Sequence, residues 1–218
     1  APNDPNAQGR KKHAGDAIFE DVNNDGQLDS KDMIFMGYVR PDKVGGIINT
    51  LKYKGLTVRI VMDWAMGHVI DNGFKGQIMG SSRNNNNAIK EAMTNSWQSA
   101  NDGSKYPKYT VQSDYDYQYR NHMRWDNQIG SSASGSTNNS LYFSKGDYLA
   151  FREVSLSYML PLSWIRKMRL SAVEVFAGAY NIGYIKKYDG MFPEIYTGVD
   201  YGIYPRPRQY NMGVKINF

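Results

Sequence analysis

The run Asp21-Val-Asn-Asn-Asp-Gly-Gln-Leu-Asp-Ser-Lys-Asp32 carries the sharpest chemistry in this chain. A hard cation such as calcium takes oxygen ligands. A twelve-residue calcium loop supplies them from its first, third, fifth, seventh, ninth and twelfth positions, with a glycine at the sixth for the sharp turn. Those places hold Asp21, Asn23, Asp25, the carbonyl of Gln27, Asp29 and Asp32, with Gly26 at the bend and Leu28 at the apolar eighth position. Asp32 stands where a glutamate usually closes such a loop. Being one methylene shorter, it predicts a tighter loop and weaker binding. The flanking stretches, 17–20 and 33–36, read as short extended pieces rather than helices, so the expectation is a structural calcium site and not a sensor. Asx turns without an ion share this composition and are the competing reading.

Nothing else in the chain assembles a reaction centre. His13, His68 and His122 are far apart and form no His-x-x-x-His pair, there is no Gly-x-Ser-x-Gly elbow, and Gly76-x-x-x-Gly80 lacks the Lys-Ser/Thr that a phosphate loop needs. No carboxylate pair sits in an apolar setting that would push the two pKa values apart. The absence of cysteine removes disulfides and thiolate metal sites. The expectation is therefore a protein that is not an enzyme. The 26 Lys and Arg are interspersed with 21 Asp and Glu without a basic cluster, so the net charge of +5 does not point to nucleic acid. Loop aromatics such as Tyr106, Tyr115, Trp125, Tyr188, Phe192 and Tyr204 could stack on sugars or grip peptides, or could pack the loops together. No substrate-binding residue is assigned among them.

The elements that would position the loop are strands. Residues 44–54 and 56–69 read as two strands joined at Lys54-Gly55, with Leu56, Val58, Ile60, Met62, Trp64 and Met66 on one face and Thr57, Arg59, Val61, Asp63 and Ala65 on the other. Residues 148–160 alternate again, with Arg152, Val154, Leu156, Tyr158 and Leu160 opposite Glu153, Ser155, Ser157 and Met159, and Pro161 ends the run. A fourth strand is expected at 170–182, where Val173, Val175, Ala177 and Ala179 form the less polar row. The fifth is expected at about 208–218, where Tyr210, Met212, Val214, Ile216 and Phe218 alternate with Asn211, Gly213, Lys215 and Asn217. A short helix is expected across 87–97, with Ile89, Ala92, Met93 and Trp97 at helical spacing and a cap in the Asn84–Asn87 run.

The connections alternate in length: 54–55 and 161–168 are short, while 70–147 and 183–207 are long and polar. In an antiparallel sheet the short connections then fall at one end and the long ones at the other, the asymmetry of an outer-membrane barrel. Tyr53, Trp64, Tyr148, Tyr158, Trp164, Tyr180, Tyr184 and Tyr210 fall near strand ends, where interfacial aromatics belong. With 17 Tyr, 4 Trp and 8 Phe, the mean hydropathy is still −0.60, as expected of strands apolar on one side only. No run approaches the length of a membrane helix. Five strands cannot close even the smallest barrel, so the expectation is a segment of a larger one. Half of a soluble β-sandwich is the alternative.

Several stretches taken in order resemble the carboxy-terminal third of the SusC/RagA class of TonB-dependent outer-membrane transporters. They are the Gly15-Asp-Ala-Ile-Phe-Glu20 lead into the Asp/Asn loop, Leu51-Lys-Tyr-Lys-Gly-Leu56, Gly146-Asp-Tyr-Leu-Ala-Phe-Arg152 with Leu160-Pro161, Tyr180-Asn181, Tyr188-Asp-Gly190, Pro193-Glu194, and Tyr204-Pro-Arg-Pro-Arg-Gln-Tyr-Asn-Met-Gly-Val214 with Phe218. The resemblance implies an all-β fold, an antiparallel transmembrane β-barrel segment of about five strands from a plugged barrel of roughly 22 strands, with long extracellular loops. Residues 1–43 would be an extracellular loop carrying the calcium site. Residues 44–218 would be barrel strands with extracellular loops at 70–147 and 183–207. It further implies import of oligosaccharides or peptides across the outer membrane of a Gram-negative bacterium. The implied partners are the plug and remaining strands of the same transporter, a surface lipoprotein of the SusD type, the TonB complex and the lipid bilayer. Residues 210–218 would be the barrel-closing strand. A soluble β-rich, calcium-stabilised domain that binds carbohydrate or protein is the alternative.

If the two faces are assigned correctly, Val214→Arg puts a charge into hydrocarbon and should destabilise the folded protein by roughly 2–4 kcal/mol, while Lys215→Gln should be nearly silent. Equal sensitivity at the two positions, measured by denaturant unfolding in detergent or lipid, would contradict the assignment.

Overall fold

The computed structural model describes residues 14–26, 30–79, 81–82, 89–111 and 140–218. The strands are β1 (Lys43–Tyr53), β2 (Leu56–Met66), β3 (Val69–Asp71), β4 (Ser81–Ser82), β5 (Thr110–Val111), β6 (Phe143–Lys145), β7 (Tyr148–Met159), β8 (Ala172–Lys186) and β9 (Gln209–Asn217). The five long ones form one antiparallel sheet in the order β1-β2-β7-β8-β9, and the short ones form two two-stranded ladders, β3-β6 and β4-β5. By contacts the described residues separate into two compact units. One holds residues up to Gly37, Ile70–Ser144 and Ile195–Gly202; the other holds Tyr38–Val69, Lys145–Glu194 and Ile203–Phe218 and contains the large sheet.

Each strand boundary in the sheet has a local cause. Lys54 and Gly55 both adopt positive φ, 45° and 87°, which is the turn whose twist matches that of a two-residue hairpin. Tyr53 and Leu56 therefore face each other directly across the hairpin. At the far end of β2, Gly67 is left-handed with φ 82°, so the strand stops at Met66 instead of running on to residue 69 as its alternation suggested. Between β7 and β8, Pro161 leads into helical turns at Leu162–Ile165 and Arg166–Met168. Ile165 is buried there, and left-handed Arg169 turns the chain back. β8 starts at Ala172 and continues to Lys186, four residues beyond the expected end at 182. Asn181, left-handed with φ 51°, is absorbed within the strand.

At the other end of the sheet, β2 and β7 are locked at their junction. The Asp147 carboxylate accepts from the Gly67 amide at 2.8 Å and from Lys187 Nζ at 3.0 Å. Burial pushes its pKa up, but these bonds and the nearby Lys187 and His68 outweigh burial and hold it below the usual carboxylate range. The Gly146 amide donates to the His68 carbonyl at 2.8 Å. Burial holds the His68 imidazole below its usual pKa against the opposing pull of Asp147.

The first unit packs around Met79, Ala92, Tyr106 and Tyr142. Tyr106 donates to Glu91 at 2.9 Å, and Lys75 pairs with the same carboxylate at 3.2 Å. The helix expected across 87–97 is shorter, Lys90–Thr94; Ala92 is buried but Met93 is exposed. Residues 84–87, with their expected cap, lie outside the described residues. Asp102 gathers the amides of Gln98, Ser99 and Ser104 at 2.6, 3.0 and 2.9 Å, and these bonds hold its carboxyl well below the usual range.

A Cβ added at Gly146 would collide with the His68 ring, which is buried and has no room to withdraw. Gly146→Ala should therefore cost roughly 1–3 kcal/mol, seen as a lower unfolding temperature of the folded protein in detergent. An unchanged temperature would show that the junction is looser than described.

Candidate functional site

The candidate site is the large sheet, since its two faces differ in chemistry, most clearly across β2, β7, β8 and β9. Register fixes which residues share a face. Val58, Ile60, Met62 and Trp64 on β2 sit beside Leu156, Val154, Phe151 and Leu149 on β7. Val154, Leu156 and Tyr158 continue to Ala179, Ala177 and Val175 on β8. Val173, Val175, Ala177 and Ala179 in turn sit beside Ile216, Val214, Met212 and Tyr210 on β9. This face is uncovered: Leu156, Val175, Tyr210, Val214 and Ile216 are exposed, Met212 is 87% exposed, and Phe218, just past β9, is 93% exposed. β1 adds Tyr53, Leu51 and Ile47 opposite Leu56, Val58 and Met62, with Asn49 interrupting the row and Gly45 leaving room for the Trp64 indole. An apolar surface this continuous needs a covering phase.

The opposite face is polar and internally paired. Arg59 on β2 meets Glu153 on β7 at 3.3 Å, and Ser155 donates to the same carboxylate at 2.7 Å. Glu174 and Lys215 are direct cross-strand neighbours. Thr50, Lys52, Thr57, Arg59, Ser155, Ser157, Tyr180 and Asn211 line a shallow cavity of about 400 Å³ on this face. Arg59, Asp63, Glu153 and Lys215 all lie on it.

Arg152 departs from the expected pattern. Alternation put it in the apolar row with Val154 and Leu156, but it has no register partner on β2 or β8: against β2 it is one extra residue in β7, a β-bulge, and against β8 it lies opposite unpaired Asn181 and Ile182. The bulge turns Arg152 to the polar face, where it forks onto the Asp63 carboxylate with Nη2 at 2.7 Å from Oδ2 and Nε on Oδ1. A guanidinium cannot lie in an apolar row without a partner, and the extra residue supplies the rotation it needs. The same shift moves Tyr148 onto the polar side, where it packs with Ala65, Ala150 and Tyr184. Tyr180 pairs with Glu153 and Tyr184 with Ala150, so Tyr148, Tyr180 and Tyr184 are not girdle residues as their positions near strand ends suggested.

In the other unit, the described part of the Asp/Asn loop is folded onto itself. Asp21 accepts from the amides of Asp25 at 3.2 Å and Gly26 at 2.8 Å, Asn23 Oδ1 accepts from the Asp25 amide at 3.0 Å, and Asp32 Oδ1 accepts from the Val22 amide at 2.9 Å. Asn24 and Gly26 are left-handed, with φ 58° and 81°. The carboxylates of Asp21, Asp25 and Asp32 and the amide of Asn23 are thus brought to one turn. Gln27 and Asp29 lie outside the described residues. Among the described residues no group of three or more His, Cys, Asp or Glu is poised to hold a metal.

No protein-family model matches the chain. Over 216 residues it is 25% identical to TonB-dependent receptor P3 of Formosa agariphila, covering 94% of this chain and 19% of that protein. It is 23% identical to TonB-dependent receptor P26 of the same organism, again over 94% of this chain and 20% of the relative. The chain is similar to TonB-dependent receptors. It spans about a fifth of the length of these curated relatives. Among solved structures it is similar to a RagAB peptide transporter, with TM-score 0.57 and 22% identity over 83% of this chain and 17% of that one. It is also similar to a RagAB peptide importer in a closed-closed state, with TM-score 0.59 and 21% identity over 84% and 18%. The five-stranded antiparallel sheet is therefore similar in fold to a segment of that transporter's barrel. The relatives are receptors and not enzymes, in keeping with the lack of any reaction centre in the sequence.

Proposed function

We propose that this chain forms part of the wall of a TonB-dependent transporter in the outer membrane of a Gram-negative bacterium. In this reading the apolar face of β2, β7, β8 and β9 contacts lipid, the polar face lines the lumen, and strands and a plug elsewhere in the same protein complete the barrel. The single observation that carries it is the uncovered apolar face, which runs in register across the sheet from Trp64 to Met212. The receptor relatives support membrane placement and do not favour the alternative of a soluble calcium-stabilised domain. The cargo we propose is oligopeptide or oligosaccharide, taken up with energy from the TonB complex and with a SusD-like lipoprotein at the outer surface. The peptide class is supported by the name of the RagAB structures.

The experiment is uptake of labelled oligopeptides and oligosaccharides by cells with and without the full-length gene. Import of one class should be lost in the deletion and in cells lacking TonB, and the protein should fractionate with the outer membrane and shift in mobility on heating. Recovery of the full-length protein as a detergent-free soluble monomer would overturn the reading.

We further propose that the loop of Asp21, Asn23, Asp25, Gln27, Asp29 and Asp32 holds a structural calcium ion. Its support is the ligand spacing of the sequence, together with the turn that Asp21, Asn23 and Asp32 make by accepting from the amides of residues 22, 25 and 26. The short Asp32 carboxylate places the expected affinity in the range of extracellular modules, about 10⁻⁴–10⁻³ M. Calorimetry on the intact protein should show one calcium site that disappears in Asp25→Ala and survives Asp102→Ala. Titration without any heat of binding, together with soaked crystals lacking an ion at these oxygens, would refute it.

A further inference from the structure

The segment that follows β8 stays on the sheet. Lys186, on the polar row opposite Tyr148, donates to the carbonyl of Tyr188 at 3.0 Å and to that of Gly190. Tyr188 is buried and its ring occupies the space where Gly190 lacks a side chain. Phe192, also buried, meets Tyr184 edge-on with ring centres 5.9 Å apart. The strongest contacts converge on Glu194, whose side chain is 1% exposed. Its Oε1 accepts from Arg152 at 2.6 Å and from the Tyr184 hydroxyl at 2.6 Å, and its Oε2 pairs with Arg206 at 3.4 Å. Arg152 is itself held by Asp63, so the chain Asp63–Arg152–Glu194–Arg206 runs from the wall into the connection. Nearby, Asn181 on β8 donates to the Pro207 carbonyl at 3.4 Å.

These anchors lie on the polar side of β2, β7 and β8, so residues 188–194 are laid over that face and do not project from the rim. A carboxylate this buried is stable as an anion only while its cationic and hydroxyl partners stay in place. The segment cannot lift without breaking all three contacts together. Inside a barrel such a segment takes up part of the passage.

We propose that residues 188–194 form a fixed constriction on the inner wall of the barrel, and that Glu194 is the positioning residue that clamps it there. The proposal rests on the barrel reading above. Cargo then passes beside this segment and does not displace it, and Arg206, half exposed, lies next to the clamp.

The test is hydrogen exchange on the full-length receptor in detergent, together with sensitivity of cells to a bulky antibiotic that the intact outer membrane excludes. In the wild type, residues 188–194 should be protected nearly as well as β8. Glu194→Ala should speed their exchange by about tenfold or more, leave β7 and β8 unchanged and raise antibiotic sensitivity. Arg206→Gln leaves Glu194 bound to Arg152 and Tyr184. It should speed exchange by about threefold, which keeps the test open if the alanine variant fails to assemble. Unprotected exchange in the wild type, or no change in either variant, overturns the clamp. Faster exchange without increased sensitivity overturns the constriction. Loss of heat-modifiable migration in the wild type would instead count against the barrel reading itself.

Discussion

A backbone amide or carbonyl placed in hydrocarbon has to find its partner inside the protein, because no water is there to supply one. The rest of this structure follows from that constraint. β2, β7 and β8 satisfy it by pairing on both sides along almost their full lengths, while β1 and β9 pair on one side and leave their outer edges for other strands of the proposed barrel. In the proposed reading, lipid covers Met212, Val214 and Leu156, which the sheet itself leaves exposed. What would be a liability in water is a wall in lipid.

The same constraint shapes the other face. Charges on the lumen side are matched within the wall, Arg59 with Glu153 and Arg152 with Asp63, so this sector carries polarity without a strong field of one sign. The bulge at Arg152 lets a single strand serve both faces. It keeps Val154 and Leu156 in the apolar row while turning Arg152, Ala150 and Tyr148 inward, and this in turn provides the cation that reaches Glu194. A register irregularity in β7 is thus connected, through one guanidinium, to the placement of the segment after β8.

Much of the wall was legible in the sequence because its signals are local and repeated. Alternation of apolar and polar residues marks every long strand, Lys54-Gly55 marks the hairpin, and Pro161 marks the end of β7. What was not legible depends on breaks in the alternation. Strict period-two reading carries Arg152 and Tyr148 into the apolar row, and only the anomaly of an arginine there hints that a residue has been inserted. The strand expected at 170–182 stops before Gly183, where the long polar connection begins in the sequence, yet β8 runs on to Lys186. Met93 sits at helical spacing but is exposed, since the helix is only five residues long. The ligand spacing of the Asp/Asn loop is plain in the sequence, and its turn from Asp21 to Gly26 is held by side-chain oxygens on backbone amides. Alternation and spacing gave no sign of the Glu194 cluster, although Arg152, Glu194 and Arg206 each fall in a stretch that carries the family resemblance. Its members come from β2, β7, β8 and the connection to β9, and only the fold brings them together.

The central claim is that one face of this sheet meets lipid and the other meets water. It is tested most directly by single cysteines introduced at each position from 210 to 217 of the full-length receptor, spin-labelled and exposed in turn to a lipid-soluble and a water-soluble relaxing agent. The account predicts a period of two, with labels at 210, 212, 214 and 216 relaxed by the lipid-soluble agent and labels at 211, 213, 215 and 217 by the water-soluble one. Uniform access to the water-soluble agent at all eight positions would contradict it.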